Sequence, residues 1–187
     1  GIERIAGYDC QTIVLEPKDK MRYGHKLWAD ANTGMLLKSQ TFNDRNEVVE
    51  QFAFTQIAIG GKINHGELKS RFLAKSRNWR VENSGAVATS LAASGWTIKP
   101  ELPGFKKVTE MKRTQGGSSE VGHVVYSDGL AAVSVFIEPM AKKTSLPPPG
   151  LSRQGAINIY SRQLDNHLVT VVGEAPAESV KKLAESV

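Results

Sequence analysis

The first sixty residues alternate between short β-rich runs and turn clusters. Residues 10–16 carry Thr12, Ile13 and Val14, which favour a pleated, half-buried strand. Residues 22–30 follow, then the turn signal Ala31-Asn32-Thr33-Gly34, then 35–42, a second turn at Asn43-Asp44-Arg45-Asn46, and a long run over 48–59. Connections this short join antiparallel neighbours, so the pattern predicts a meander. The long run is apolar on both faces. With strand alternation Phe52, Phe54 and Ala58 point one way, and Val49, Ala53, Ile57 and Ile59 the other. Such a strand is either buried on both sides or lines a cavity. Tyr23 and Trp28 add amphipathic side chains to the same sheet.

Gly60-Gly61 ends this unit. Residues 66–78 read as a short basic helix with Leu68, Phe72 and Leu73 on one side, 79–81 as briefly extended, and 84–95 as a linker of small residues. The division expected is a β domain over 1–61, a basic helix and linker over 62–95, and a small α+β domain over 96–187. Strands are expected at 105–114, 121–126, 130–138, 156–162 and 167–173. Ser127-Asp128-Gly129 is the strongest hairpin signal, and Leu146-Pro147-Pro148-Pro149-Gly150 is a polyproline-like loop. A helix over 177–187 closes the chain, its buried stripe formed by Val180, Leu183, Ala184 and Val187.

Composition narrows the class. The chain has 187 residues, of which 40% are hydrophobic and 23% charged, an ordinary globular balance. No window approaches the roughly 18 apolar residues of a membrane-spanning helix. The single cysteine, Cys10, excludes a disulfide within these residues and a cysteine-built zinc site. The sequence opens at Gly1 with no charged-then-apolar leader, so a processed or truncated product is expected.

Net charge is +5. Two basic clusters stand out: Lys69, Arg71, Lys75, Arg77 and Arg80 without an intervening acid, and Lys106, Lys107, Lys112 and Arg113 broken only by Glu110. Each is either a solvated face or an attractor for phosphates, lipopolysaccharide head groups or an acidic protein segment. Nucleic acid is disfavoured, because no zinc finger, helix-turn-helix or aromatic RNA-binding motif accompanies the charge. There is no G-x-S-x-G elbow, no P-loop and no G-x-G-x-x-G, so no catalytic residue and no cofactor is assigned. His25, His65, His123 and His167 lie at least 40 residues apart, none at metal-ligand spacing, so no metal is assigned either.

Four strings together resemble one family. "RIAGYDCQTIVLEPKDKMRYGHKLWADANTGMLLKSQ" resembles later strands of the periplasmic domain of RseB/MucB proteins, negative regulators of the envelope-stress (sigma-E/AlgU-type) sigma factor. "PELPGFKK", "VVYSDGLAAVSVFIEP" and "VTVVGEAPAESVKKLAES" resemble the start, central hairpin and end of that family's C-terminal domain. The resemblance runs in order along nearly the whole chain. It implies a mainly β, α+β architecture: part of a LolA-like unclosed antiparallel β-barrel with an apolar cavity, then a small domain with an antiparallel sheet and a C-terminal helix. Family members carry a signal peptide and further strands and helices before the region that starts at Gly1.

The function implied is non-enzymatic and periplasmic. Such a protein binds the periplasmic segment of a transmembrane anti-sigma factor (RseA or MucA type), blocks the first proteolytic cut, and is displaced by lipopolysaccharide or another lipid. A lipid or acyl-chain carrier of LolA type is the alternative. For the first reading, Lys69, Arg71, Lys75, Arg77, Lys106, Lys107, Lys112 and Arg113 are candidate steering residues, and Tyr126 and Tyr160 candidate exposed anchors. For a lipid, Trp28, Phe52, Phe54 and Ile57 are the candidate lining. A barrel cut mid-sheet leaves an unpaired edge near residues 2–16, from which a dimer by sheet addition or domain exchange is expected.

Overall fold

The computed structural model describes residues 2–70, 86–115, 119–140 and 149–187. A first sheet of five antiparallel strands runs in chain order: β1 (Ile2–Ile5), β2 (Tyr8–Leu15), β3 (Gly24–Asp30), β4 (Leu36–Phe42) and β5 (Val48–Ala53). Its turns are closed by side chains. Asp30 Oδ2 accepts from Thr33 N at 2.9 Å and Thr33 Oγ1 at 2.6 Å, while Asn43 Oδ1 accepts from the amides of Arg45 and Glu47, each at 2.9 Å. The Thr33 hydroxyl holds the Asp30 carboxyl below its usual range.

The second sheet has seven strands: β6 (Ala86–Ala88), β7 (Lys106–Gln115), β8 (Ser119–Ser127), β9 (Ala132–Pro139), β10 (Gly150–Gln154), β11 (Ile157–Leu164) and β12 (His167–Gly173). Their order is β10-β11-β12-β9-β8-β7-β6, antiparallel throughout. The helix α1 (Ala177–Glu185) packs on β11 and β12. Val180, Leu183 and Ala184 are fully buried against Val133, Val135, Val169 and Val171, which alternate toward the helix as strand periodicity requires. A Cβ at Gly173 would lie 2.8 Å from both Ala132 O and Val133 Cγ2, so β12 and β9 meet there only without a side chain.

The long run expected over 48–59 is not one strand. β5 ends at Ala53, and the chain then crosses the sheet as a strap. Phe54 N donates to Leu37 O at 2.9 Å, and the Tyr8 hydroxyl donates to Ile57 O and accepts from Ile59 N. Phe54, Ile57 and Ile59 pack against the buried trio Cys10, Trp28 and Leu37. The run is apolar on both alternating sets because its second half covers a core instead of continuing a ladder. Two further elements depart from expectation. Ala86–Ala88, inside the segment read as linker, is an edge strand of the second sheet. Gly150–Gln154, which followed the proline run unrecognised, forms a two-residue hairpin with β11 through Gly155, whose φ of 60° suits that turn. The expected extended segment 79–81 and most of the expected helix 66–78 lie outside the described residues; of that helix 66–70 are described, as a turn over 66–68 followed by non-helical chain.

On the face of the second sheet away from α1, His123 is buried. Its ring stacks on Phe136 at 4.3 Å, and its Nε2 lies 3.1 Å from the Ser134 hydroxyl. Burial, with the nearby Arg113 charge, lowers its pKa. The folded protein therefore binds this proton less readily than the unfolded chain. The contribution to stability is complete above about pH 6.5, the unperturbed histidine value, and is lost as the pH falls from there toward the folded-state pKa. Urea midpoints at pH 7.5 and pH 5.5 check this: His123→Phe is expected to shrink the loss seen on acidification, and an unchanged loss refutes the assignment.

Candidate functional site at the junction of the two sheets

Three consecutive residues of the β2–β3 connection, Met21, Arg22 and Tyr23, each bond to the second unit. Arg22 Nη1 donates to Asp128 Oδ2 at 2.8 Å, its Nη2 donates to the Pro103 carbonyl, and its guanidinium lies 5.5 Å over the Phe105 ring. Asp19 Oδ1 steadies the loop from within, accepting from Met21 N at 2.9 Å and from Arg22 Nε at 3.3 Å. The Met21 carbonyl accepts from the Ser179 hydroxyl of α1 at 2.7 Å, and the Met21 side chain packs on the second core. Tyr23 OH accepts from Asn158 Nδ2 at 2.8 Å, and the same amide donates to Ala175 O. Burial raises the Tyr23 pKa, so the phenol stays neutral.

Asp128 has two roles. Its Oδ1 accepts from Leu130 N and Ala131 N, which shapes the β8–β9 turn, and its Oδ2 takes Arg22. The sequence shows the first role through Asp128-Gly129 and is silent on the second. Nothing in the pattern marks Arg22, Tyr23, Asn158 or Ser179 as joining residues, since their partners lie more than a hundred positions away or across the sheets.

Beside this junction lies a cleft of about 1000 Å³. Leu15, Pro17 and Phe42 from the first unit give it apolar walls, and Arg153, Asn158 and Ala177 from the second close it. Charges of both signs rim it: Lys20, Arg45 and Arg153 against Glu16, Asp44 and Glu178. Its size and mixed lining suit a short peptide better than a uniformly charged ligand.

The four residues expected to line a lipid site are not gathered on one open surface. Trp28 is buried, with the Lys26 and Lys38 ammonium groups 4.6 and 4.3 Å from its ring centroid. Those lysines cover the indole by cation–π contact and with their aliphatic stems. Phe54 and Ile57 belong to the strap over the same core. Phe52 is 47% exposed and meets Phe54 edge-on at 5.0 Å. Register places Phe52 in a cross-strand row with Ser39, Leu27 and Ile13 on one face of the first sheet, an open and largely apolar face.

The basic candidates are likewise dispersed. Lys69 is exposed, while Arg71, Lys75 and Arg77 lie outside the described residues. Lys106, Lys107, Lys112 and Arg113 are strung along β7. Lys107 pairs with Glu110 at 2.5 Å and Lys112 with Glu120 at 3.1 Å, which leaves Lys106 and Arg113 without a carboxylate among the described residues. The Lys107 ammonium holds the Glu110 pKa down. Tyr126 is not an exposed anchor: it is 4% exposed and sits in the second core, where burial raises its pKa. Strand alternation puts it on the helix-covered side with Val124. Tyr160 is half-buried at the margin of that core, opposite Leu151.

Two open sheets, locked by one loop and flanking a peptide-sized cleft, define a β-sheet binding module. Family comparison gives the class a name. A model of the MucB/RseB N-terminal domain matches residues 1–72 and one of the MucB/RseB C-terminal domain matches residues 90–187, so the chain belongs to the MucB/RseB family. The sigma factor AlgU regulatory protein MucB of Pseudomonas aeruginosa is 30% identical over 192 residues, covering 100% of this chain and 58% of MucB. The sigma-E factor regulatory protein RseB of Haemophilus influenzae is 27% identical over 195 residues, covering 100% of this chain and 57% of RseB. A crystal structure of MucB in complex with MucA(peri) superposes with a TM-score of 0.75 at 29% identity, over 100% of this chain and 64% of that one. The chain thus spans less than two thirds of these relatives.

Asp128 is 6% exposed, and removing its cation leaves a buried carboxylate unpaired. Arg22→Ala is expected to destabilise the protein by about 3 kcal/mol, and Arg22→Ala with Asp128→Ala by clearly less than the two single losses together. Denaturant titration of both variants and of Asp128→Ala alone checks this; additive losses would mean that the pair does not couple the two units.

Proposed function

We propose that this chain is the larger part of a periplasmic negative regulator of an envelope-stress sigma factor, acting by binding and without catalysis. Its partner is the periplasmic region of a transmembrane anti-sigma factor, which it shields from the first proteolytic cut. The observation that supports this reading best is the match along the whole of this chain to 64% of MucB, a protein solved in complex with MucA(peri). The cleft beside the Met21–Tyr23 junction is a peptide-sized seat between the two units. Inhibition then needs occlusion alone: a segment held in the cleft cannot enter a protease, and the protected fraction follows mass action. A lipid releases the partner only if the two ligands favour different arrangements of the two units.

The open row Ile13, Leu27 and Phe52 supports a second reading, an acyl-chain carrier, because each buried CH₂ contributes about 0.8 kcal/mol. The two readings separate in one assay. The regulator slows cleavage of the anti-sigma periplasmic region by its site-1 protease in proportion to the bound fraction. Unchanged cleavage at saturating protein, together with uptake of a fluorescent acyl probe, would favour the carrier.

The β7 cations enter this reading as steering groups, and so does the exposed Lys69. Changing Lys106, Lys107, Lys112 and Arg113 together to Glu is expected to cut the association rate about tenfold or more at low salt and much less at high salt. An association rate that does not move in stopped-flow at low salt removes β7 from the encounter surface.

A further inference from the structure

We propose that the free edge of β10 is a strand-addition site for an extended segment of the partner polypeptide that places an acidic side chain beside Arg153; this rests on the regulatory reading above. Among the described residues β10 is the outermost strand of the second sheet and pairs with β11 alone. All five of its residues are exposed. The pairing leaves a specific set of backbone groups outward. Gln154 and Ile157 flank the two-residue turn, and the pair that flanks such a turn is hydrogen-bonded. Alternation along the ladder then makes Arg153–Asn158 and Leu151–Tyr160 the non-bonded pairs. The N–H and C=O of Leu151 and Arg153 therefore face away from β11, and neither has a main-chain partner among the described residues. Water can satisfy these groups one by one, and an extended main chain can satisfy the whole row of alternating donors and acceptors at once.

The other edges differ. β1 carries Glu3 and Arg4, β6 is three residues long, and β5 carries Glu50 and pairs across a register shift. These are the devices that blunt edge pairing. β10 has no proline and no register shift, and its one charge is Arg153.

Side chains at the edge define the occupant further. Leu151, 55% exposed, lies opposite half-buried Tyr160 on the helix side of the sheet, and together they form an apolar contact for alternate residues of an added strand. At the other end Arg153 donates to Gly155 O and has no carboxylate partner among the described residues. It lines the cleft with Arg45, whose guanidinium is likewise unpaired there. Asp44 and Glu178 line the same cleft, so the surface favours one acid placed at Arg153 over a run of acids. The added strand would thus run from the cleft along the second sheet, with Tyr160 as its anchor.

Proline substitution tests the backbone directly. Leu151→Pro removes an outward N–H and leaves the β10–β11 ladder intact, whereas Ser152→Pro removes a ladder N–H and reports the cost of breaking β10 itself. Binding of the anti-sigma periplasmic region is measured by calorimetry for the wild-type chain and each variant, with thermal melting alongside. The expected result is a loss of about tenfold or more in affinity for Leu151→Pro at unchanged melting temperature, and a similar direction for Arg153→Glu. Hydrogen exchange on the unmutated complex gives a readout independent of variant folding: the Leu151 and Arg153 amides are expected to become protected. Wild-type binding with neither an affinity loss in Leu151→Pro nor protection of those amides overturns strand addition and leaves the regulatory reading standing. Absence of wild-type binding overturns both.

Discussion

The Arg22–Asp128 ion pair is the contact on which the joined arrangement of the two sheets depends. An isolated buried pair often fails to repay the desolvation of its charges. Here both partners are fixed before they meet. Asp19 and the Pro103 carbonyl orient the guanidinium, and the amides of Leu130 and Ala131 orient the carboxylate. Little side-chain entropy remains to be lost, and the spare hydrogen-bonding capacity of each group is used. The neighbouring Ser179–Met21 and Asn158–Tyr23 bonds repeat the device with neutral groups, so one loop is gripped at three successive residues.

The two units solve the problem of an open sheet differently. The second lays an amphipathic helix along its strands and buries a continuous set of valines and leucines beneath it. The first has no helix among the described residues. It folds its own chain back at Phe54–Ile59 over Cys10, Trp28 and Leu37, and two lysines close the remaining side of the indole. That solution is partial. The face with Ile13, Leu27 and Phe52 keeps substantial apolar exposure.

Local signals carried most of the fold into the sequence. Asp128-Gly129, Asn43 and Asp30 each mark a turn because their side chains bond the nearby backbone that makes it. The stripe Val180, Leu183 and Ala184 marks α1 because burial on one side imposes helical spacing. The failures are equally physical. A β-rich apolar run such as 48–59 reads as strand whether its residues pair or cover, and contacts far along the chain, the Tyr8 hydroxyl and the Cys10–Trp28–Leu37 core, decide between them. Tyr126 reads as an exposed anchor from composition and is inward by the parity of β8. The β7 lysines read as one cluster, but Glu120, across a hairpin, neutralises one of them. The junction is illegible because every bond across it joins residues that no local period connects.

The position of that loop bears on how a binding protein of this shape responds to a signal. Arg22 and Tyr23 lead directly into Gly24, the first residue of β3, and β3 carries Leu27 on the open face and Trp28 in the core. A ligand on the open face therefore contacts the strand whose base is held by the second unit. Contact alone transmits nothing: the ligand must bind better to one arrangement of the junction than to another. The bonds at Arg22, Met21 and Tyr23 supply an arrangement with discrete alternatives, since a guanidinium either lies on Asp128 or must be solvated elsewhere. With the peptide-sized cleft lined from both sides of those bonds, loss of the joined state removes the cleft itself, and under the proposed regulatory function it would end the occlusion of the partner.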